Sequence, residues 1–223
     1  MITKDKVTEI FCIIDEFFKY LHVELAKNLQ LPSHDEKGKL CRNRNGRLSD
    51  SEIMTILLCY HFGTYRNFKE YYLNCIHGQL RQEFPDAVSY NRFVELMPRV
   101  FFHLMAFMKI YAFGRCSGIS FVDSTMIPVC HNVRRYFNKV FAGLARSGKG
   151  TMGWCHGFKL HLLCNDTGEI ITFCLTPANV DDRDKRVWSV FTKVLYGKVF
   201  ADRGYIKQEP FGELIQSRYL TLS

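Results

Sequence analysis

The second half of the chain contains two β-like segments joined by a tight turn, and this block constrains the fold more than any other feature. Residues 158–165 (FKLHLLCN) and 169–177 (EIITFCLTP) are rich in β-branched, aromatic and other apolar residues. Asp166, Thr167 and Gly168 separate them. Two such runs with a short glycine-containing connection predict an antiparallel β-hairpin.

Further elements surround this hairpin. Residues 119–123 (ISFVD) and 198–202 (KVFAD) are short apolar runs that predict two more strands. Helices are predicted over residues 179–197, capped by Asp181 or Asp182, and over residues 208–218. The order of strand, basic segment, hairpin, helix, strand and helix predicts an α/β fold with a mixed sheet.

The first half of the chain carries helical patterns instead. Residues 7–25 have apolar side chains at helical spacing. Ser49 and Glu52 form a capping-box pattern before a second helix. A later helix starts at a Ser89 cap, and Pro98 is expected to kink or divide it. We therefore predict an all-helical domain over residues 1–113 and an α/β domain over residues 114–223.

Charge is unevenly distributed along the sequence. The net charge is +8, and the segment from Ser124 through Asn165 contains no Asp or Glu. This composition is typical of a surface that faces nucleic-acid phosphates. An ordinary solvated basic face would have the same composition. The candidate DNA-binding residues of the segment are Arg134, Arg135, Lys139, Arg146, Lys149 and Lys159.

A membrane or secreted protein is not indicated. The longest apolar stretch, residues 100–113, is interrupted by His103 and Lys109 and falls short of the ~18 apolar residues of a membrane helix. The N-terminus has no signal-peptide pattern. Nine cysteines are scattered without a CxxC pair, which favours reduced, mostly buried thiols over zinc ligands. We expect a cytoplasmic protein with no membrane partner.

Asp123 and Asp202 each end one of the predicted apolar strands. If the two strands are adjacent and parallel, both carboxylates project at one edge of the sheet. Mg²⁺ prefers such oxygen ligands, and two ions about 3.5–4 Å apart can activate an attacking oxygen and stabilise a leaving one. Alternatively, the two aspartates only close strands or begin turns.

Two other motifs are weaker candidates for a site. Residues 143–150 (GLARSGKG) nearly fit a P-loop, but Gly150 stands where Ser or Thr would hold Mg²⁺, so nucleotide hydrolysis is not expected. His131, His156 and His161 could be metal ligands. We favour the interpretation that they are packed or hydrogen-bonded.

Three longer blocks resemble one protein family. They are FVDSTMIPVCHN (121–132), KVFAGLARSGKGTMGWCHGFKLHLLCNDTGEIITFCLTPANVDDR (139–183) and GKVFADRGYI (197–206). These blocks are similar to bacterial insertion-sequence transposases of the DDE class, with insertion-sequence group 982 as the closest group. The resemblance extends from the N-terminal helices to the end of the chain.

The resemblance implies a ribonuclease-H-like sheet and an enzyme that cleaves transposon ends and joins the freed 3′-hydroxyl to target DNA. Asp123 matches the first catalytic aspartate and Asp202 the second, with Mg²⁺ or Mn²⁺ as the cofactor bound by both. It further implies double-stranded DNA as partner (terminal repeats and target), a homo-oligomer on that DNA, and a bacterial, nucleoid-associated location. The resemblance also implies that the helical domain of residues 1–113 is a DNA-binding domain that binds the transposon ends. Within it, residues 89–96 (SYNRFVEL) are either a DNA-contacting helix or an ordinary helix of the bundle.

The sequence departs from the family pattern after Asp202. The family places a third acid, a glutamate, on a later helix that follows another strand. Here the chain ends at SRYLTLS, where that strand would begin, and Glu209 and Glu213 lie too early to match. The resemblance therefore implies a truncated transposase whose sheet is incomplete at the C-terminus.

Three functional hypotheses follow. The chain is an active transposase, or a catalytically inactive DNA-binding fragment that occupies transposon ends or inhibits the full-length enzyme. The third hypothesis is a stand-alone metal-dependent nuclease in which Glu209 or Glu213 supplies the missing ligand. The departure at the third acid favours the inactive fragment.

Overall fold

The computed structural model describes residues 2–28, 46–151, 153–201 and 221–222. The chain divides into two compact units, Met1–Lys109 and Ile110–Ser223. This division falls four residues before the end of the helical domain expected from the sequence.

The described residues of the first unit form helices and no strand. These helices are α1 (Lys4–Asn28), α2 (Asp50–Tyr60), α3 (Phe68–Tyr71), α4 (Tyr90–Leu96) and α5 (Phe101–Phe107). A π-helical segment, Tyr72–Gln79, continues α3, and a 3-10 turn, Met97–Val100, joins α4 to α5. A second π-helical segment, Met108–Ala112, follows α5. No described helix is both long enough and apolar enough to cross a membrane.

Helix starts in this unit follow the sequence signals. The Glu52 amide donates to Ser49 Oγ at 3.1 Å, and the Ser49 amide donates to Glu52 Oε2 at 2.7 Å, so the predicted capping box is confirmed. The Ser89 hydroxyl accepts a hydrogen bond from the Arg92 amide at the start of α4. Pro98 lies in the 3-10 turn, which divides the predicted helix as expected.

Aromatic side chains dominate the core of the first unit. Tyr71, Tyr72 and Phe93 are fully buried, and the Tyr72 and Phe93 ring centroids lie 4.6 Å apart. The Tyr71 hydroxyl donates to the Ile56 carbonyl at 3.1 Å, which satisfies its polar end inside the core. Burial raises the pKa of Tyr72 to about 12.

The second unit is built on one mixed sheet. Its strands are β1 (Ile119–Cys130), β2 (Arg146–Gly150), β3 (Gly153–Asn165), β4 (Ile170–Pro177), β5 (Lys198–Ala201) and β6 (Thr221–Leu222). The strand order is β2-β3-β1-β5-β6. Strand β4 also pairs with β3, along the part of β3 that follows the segment paired with β2. Pairing is antiparallel among β1 to β4, whereas β5 is parallel to β1 and to β6. This arrangement is the predicted mixed α/β sheet and is compatible with a ribonuclease-H-like fold.

The predicted hairpin is confirmed by β3 and β4. Its turn is organised by Asn165, whose Oδ1 accepts hydrogen bonds from the Thr167 amide at 3.1 Å and the Glu169 amide at 2.8 Å. Gly168 has a φ of +84°, a conformation that side chains with a Cβ rarely adopt. Strand β3 begins earlier than predicted, at Gly153, because its first part pairs with β2.

The helix after the hairpin is shorter than predicted. Helix α6 spans Lys185–Phe191, and its N-cap is Asp184, whose side chain accepts from the Arg186 amide at 2.8 Å. The prediction that Asp181 or Asp182 caps this helix is therefore wrong. Hydrogen bonds from the Arg186 side chain and amide lower the pKa of Asp184 to about 2.

Helix α6 covers the buried face of the sheet. It buries three side chains, Val187, Trp188 and Phe191, in a core to which the sheet contributes Val122, Leu163, Ile171 and Val199. The helix predicted over residues 208–218 lies outside the described residues. Strand β6 begins at Thr221, where the sequence suggests that a further strand starts.

The described cysteines are all free thiols, as expected. The prediction that most are buried is wrong: among them only Cys59 and Cys75 are fully buried. Burial raises the pKa of Cys59 to about 12, so that its thiol stays protonated at neutral pH.

Candidate active site

Strands β1 and β5 lie side by side and parallel, as the two-aspartate site requires. Their register pairs Phe121 with Phe200 and Val122 with Ala201. The rings of Phe121 and Phe200 stack with centroids 5.3 Å apart, so these paired side chains lie on one face of the sheet. Within the described residues, the last pair of this register is Val122 with Ala201.

Asp123 does not end its strand as predicted. β1 continues to Cys130, because Asp123 through Pro128 pair with β3. The carboxylate is exposed on the face that also carries Phe121, since side chains alternate along a strand. Its Oδ1 accepts a hydrogen bond from the Ser124 amide at 2.7 Å, which orients the group.

Asp202 lies outside the described residues. It is bonded to Ala201, which pairs with Val122, the residue before Asp123. The described structure thus brings Asp123 next to the strand that leads into Asp202. It does not describe the Asp202 carboxylate.

A cluster of polar side chains lies on the other face of the sheet, at β1 and β3. Asp182 Oδ1 accepts hydrogen bonds from Ser124 Oγ and from Lys159 Nζ, each at 3.1 Å. Lys159 Nζ also donates to the Val180 carbonyl at 3.0 Å. His161 Nδ1 lies 3.6 Å from Asp182 Oδ1. The loop before α6 is therefore tied to β3 and to the residue that follows Asp123.

His161 is a packed and hydrogen-bonded histidine, which agrees with the sequence interpretation. Its ring is fully buried, and Nε2 lies 3.0 Å from Thr176 Oγ1 on β4. Desolvation lowers the pKa of His161 below its usual value, and the nearby Asp182 carboxylate opposes that shift. His161 is therefore neutral at pH 7.

Asp182 is the residue that sequence reasoning missed. The sequence offers three acids in NVDDRD, and local rules favour any of them as a helix cap. The distinguishing signal is Lys159, a lysine at an inward position of a strand whose next inward residues, His161 and Leu163, are also buried. A lysine there needs an internal anion, because an unpaired buried charge is costly.

Five of the six candidate DNA-binding residues are exposed: Arg134, Arg135, Lys139, Arg146 and Lys149. Lys159 differs, because it is only 9% exposed and its ammonium group is bound by Asp182 and the Val180 carbonyl. The expectation that Lys159 contacts DNA is therefore corrected: its role in this structure is internal.

One exposed basic group, Lys149, can be placed relative to Asp123. Lys149 on β2 pairs with Trp154 on β3, and Asp123 on β1 pairs with Leu162 on β3. Paired residues share a face, and residues an even number apart on one strand share it too. Lys149 and Asp123 therefore lie on the same face of the sheet.

The P-loop-like segment does not form a phosphate-binding loop. Its residues Arg146–Gly150 form β2 and pair with β3. A Cβ at Gly148 would clash with the carbonyl of Ala178, so close backbone packing explains this glycine. This segment is therefore part of the sheet.

The described residues contain no group of three His, Cys, Asp or Glu side chains that could hold a metal ion. His131 accepts from the Val133 amide, and His156 Nδ1 lies 3.0 Å from Ser147 Oγ, so both have local partners. Asp123 is the exposed carboxylate that the sequence and the sheet geometry together indicate as a candidate metal ligand.

Comparisons with known proteins find a similarity in the second unit. No curated protein matches the chain. Among solved structures, the Mos1 transposase paired-end complex with left transposon end is similar at 11% sequence identity and a TM-score of 0.29, covering 100% of this chain and 78% of that chain. That similarity is too low to carry an argument. Residues 113–222 match the family model for the transposase DDE domain. This match extends from before β1 through β6, so the second unit is similar to the transposase DDE domain.

Proposed function

We propose that this chain is an insertion-sequence transposase of group 982 that binds transposon-end DNA. Its chemistry is metal-dependent cleavage and joining of phosphodiester bonds at Asp123 and Asp202. The observation that carries this proposal is the parallel pairing of β1 with β5, whose register pairs Val122, the residue before Asp123, with Ala201, the residue before Asp202. The similarity of residues 113–222 to the transposase DDE domain supports the reaction class.

The register supports a common site for the two carboxylates. Phe121 and Phe200 stack on one face, and Asp123 and Asp202 each follow two residues later. If β5 continues for one residue, alternation places both carboxylates on that face, with neighbouring strands about 4.8 Å apart. This spacing suits two carboxylates that share divalent cations.

The donor set fits a hard divalent cation such as Mg²⁺ or Mn²⁺. Asp123 is exposed and supplies carboxylate oxygen, the ligand type that these ions prefer. Bound there, the ion would activate the attacking oxygen and stabilise the leaving one. The Ser124 amide holds Asp123 Oδ1, and Asp182 fixes the Ser124 side chain from the other face. The protein therefore presets the position of the first ligand.

DNA binding is assigned to exposed basic groups of the same unit. Lys149 lies on the Asp123 face, and Arg134, Arg135 and Lys139 lie between β1 and β2. We propose that these residues and Arg146 contact phosphates of the terminal-repeat and target DNA. The helical unit would contribute α4, which buries Phe93 and exposes Asn91 and Arg92. By family resemblance, the protein would act as a homo-oligomer on DNA.

Salt-dependent binding tests the DNA assignment. The wild-type chain and Arg134→Ala/Arg135→Ala would be titrated with transposon-end duplex at several salt concentrations. Loss of two phosphate contacts is expected to reduce the slope of log K against log salt by about 2. Lys193→Ala, on the chain segment after α6, is the control for a general loss of charge. Wild-type binding without salt dependence would contradict the assignment.

A cleavage assay tests the catalytic assignment. Labelled transposon-end DNA would be incubated with Mg²⁺ or Mn²⁺ and the wild-type chain, Asp123→Ala or Asp202→Ala. Cleavage by the wild type that is lost in both variants is the expected result for an active transposase. Asp181 is a highly exposed acid in the loop before α6. Asp181→Ala is therefore the matched control and should cleave like the wild type. Cleavage that survives both substitutions would overturn the two-aspartate site.

A catalytically inactive DNA-binding protein is the second candidate. It is favoured by the exposed basic residues Arg134, Arg135, Lys139, Arg146 and Lys149, which can bind phosphates without a metal site. Salt-dependent binding without cleavage in either ion would assign this role. A stand-alone nuclease would instead cleave, and Glu209→Gln or Glu213→Gln would abolish its activity.

A further inference from the structure

The segment between β1 and β2 presents aromatic rings to solvent. Tyr136 and Phe137 are each 81% exposed at the end of a 3-10 helix, Asn132–Phe137. Aromatic side chains bury large apolar areas when they pack, so two neighbouring rings in solvent indicate an interaction surface. We call residues 132–144 the aromatic loop.

The aromatic loop is held in place at both ends. Asn132 Nδ2 donates to the Trp154 carbonyl at 2.6 Å, and Asn138 Oδ1 accepts from the Phe141 amide at 3.2 Å. Phe141 packs edge-on against Phe158 of β3, with ring centroids 5.5 Å apart. These contacts use Phe141 as the anchor and leave Tyr136 and Phe137 outside.

The anchor places the loop on the same face of the sheet as Asp123. Phe158 and Leu162 are four residues apart on β3, so their side chains share a face. Leu162 is the register partner of Asp123. Phe158 is therefore about 13 Å from that position along the strand, at about 3.3 Å per residue. A DNA segment bound at Asp123 would be within reach of the loop.

Charge indicates the kind of partner that covers the rings. Arg134, Arg135 and Lys139 are exposed in the same loop, and no acid occurs from Ser124 through Asn165. The Arg135 guanidinium lies 4.7 Å from the centroid of the Tyr136 ring. Interleaved cations and flat aromatic rings match a polyanion that also offers flat apolar faces, which is the chemistry of unpaired nucleic-acid bases.

We infer that Tyr136 and Phe137 form a stacking platform for unpaired bases of DNA held near Asp123. Paired bases inside a duplex hide their faces, whereas a frayed or opened strand exposes them. The inference rests on the proposed DNA-binding function and adds that the preferred substrate has unpaired bases. Arg134 and Lys139 would hold the backbone while the rings stack on bases.

The test compares two DNA probes of the same flanking sequence and length. One is fully paired, and the other has a central bubble of unpaired thymines. Affinities are measured by fluorescence anisotropy for the wild type, for Tyr136→Ala/Phe137→Ala, and for Val133→Ala/Val140→Ala. The last variant removes exposed aliphatic groups of the same loop, which are 75% and 82% exposed in the wild type. Circular dichroism verifies that each variant is folded.

The wild type is expected to bind the bubble probe about tenfold more tightly than the duplex, a typical gain for stacking one base. Tyr136→Ala/Phe137→Ala should lose this preference and keep its duplex affinity, while Val133→Ala/Val140→Ala keeps both. Tyr136→Phe should also keep the preference, because the ring remains.

Three results would overturn the inference. Equal wild-type affinity for the two probes removes the base-stacking role and leaves the proposed DNA binding intact. Absence of binding to either probe removes the proposed function and the inference together. If the alanine variant keeps the bubble preference but loses self-association in sedimentation, the rings contact a second copy of the chain instead.

Discussion

The polar groups on the two faces of β1 differ in burial and in the partners that they bind. On the inner face, Ser124 donates to Asp182, and Asp182 also binds Lys159 at 3.1 Å. On the outer face, Asp123 is exposed, and in the described part of the chain no lysine or arginine forms an ion pair with it. Adjacent residues of one strand therefore serve different purposes: the inner group is satisfied within the fold, and the outer group is free to bind a ligand.

This difference separates stability from function within a short segment. A buried charge pair is costly to break because one charge is left without a partner. An exposed carboxylate with a single backbone hydrogen bond contributes little to folding. Substitutions on the inner face should therefore lower the free energy of unfolding, and substitutions on the outer face should affect ligand binding.

The largest effect is expected for Asp182→Ala. Among the described residues it leaves the buried Lys159 ammonium with one acceptor, the Val180 carbonyl. We expect the free energy of unfolding to fall by about 3 kcal/mol, the lower end for breaking a buried pair, because Asp182 is 25% exposed. Urea unfolding measures the change. Asp181→Ala, at the neighbouring exposed acid, should change stability by less than about 0.5 kcal/mol.

A double variant sharpens this prediction. Lys159→Met/Asp182→Ala removes both charges and retains an unbranched apolar side chain at position 159. It should be more stable than Asp182→Ala alone, since no buried ammonium remains. If the double variant is no more stable than Asp182→Ala, then Asp182 stabilises the fold through a contact other than the ion pair.

The second effect compares two neighbouring apolar residues of β1. Val122 is 4% exposed in the core beneath α6, whereas Phe121 is 46% exposed. Val122→Ala should cost about 2 kcal/mol because it leaves a cavity. Phe121→Ala should cost about 1 kcal/mol, mainly for its stacking with Phe200. A larger loss for Phe121 in urea unfolding would mean that its face is also a packed core.

A smaller effect concerns the pH dependence of stability. Burial lowers the pKa of His161 below its unfolded value of 6.5, and Lys159 lowers it further, while Asp182 and Asp184 raise it. As the pH falls, the unfolded chain binds a proton at His161 before the folded chain does. The contribution of His161 to the free energy of unfolding is therefore fully present above pH 6.5 and decreases as the pH falls below that value. The carboxylates whose pKa is lowered, such as Asp184, lose their contribution only in more acidic solution.

Urea midpoints at pH 7.5 and pH 5.5 check this expectation. The wild type should have the lower midpoint at pH 5.5, and His161→Gln should show a smaller difference between the two pH values. A wild-type midpoint that rises on acidification would mean that the Asp182 carboxylate stabilises a charged His161 in the folded protein.

Much of the fold was predictable because its signals are local. The turn at Asn165 to Gly168 is set by the side chain of Asn165 and the positive φ of Gly168. The Ser49 capping box is likewise complete within four residues. The parallel pairing of β1 with β5 is the condition that a two-aspartate site requires, and the register between Phe121 and Phe200 meets it.

The parts that were missed depend on distant partners. β1 continues past Asp123 because the segment to Pro128 pairs with β3, although it carries polar residues and a proline. The choice between Asp182 and Asp184 as helix cap is decided by Lys159, which lies more than twenty residues away in sequence. Neither contact can be read from a local pattern of apolar residues.

The smallest effect on stability is expected for Asp123→Asn, and it is the most informative for function. The amide oxygen can still accept from the Ser124 amide, so the free energy of unfolding should change by less than about 0.5 kcal/mol. Binding of Mn²⁺, followed by isothermal titration calorimetry, should nevertheless be lost or strongly weakened, since the charged oxygen ligand is gone. Asp181→Asn, at an exposed acid of the loop before α6, is the matched control and should bind Mn²⁺ like the wild type. An Asp123→Asn protein that unfolds more easily would show that this carboxylate is structural, and the contrast between the two faces of β1 would then fail.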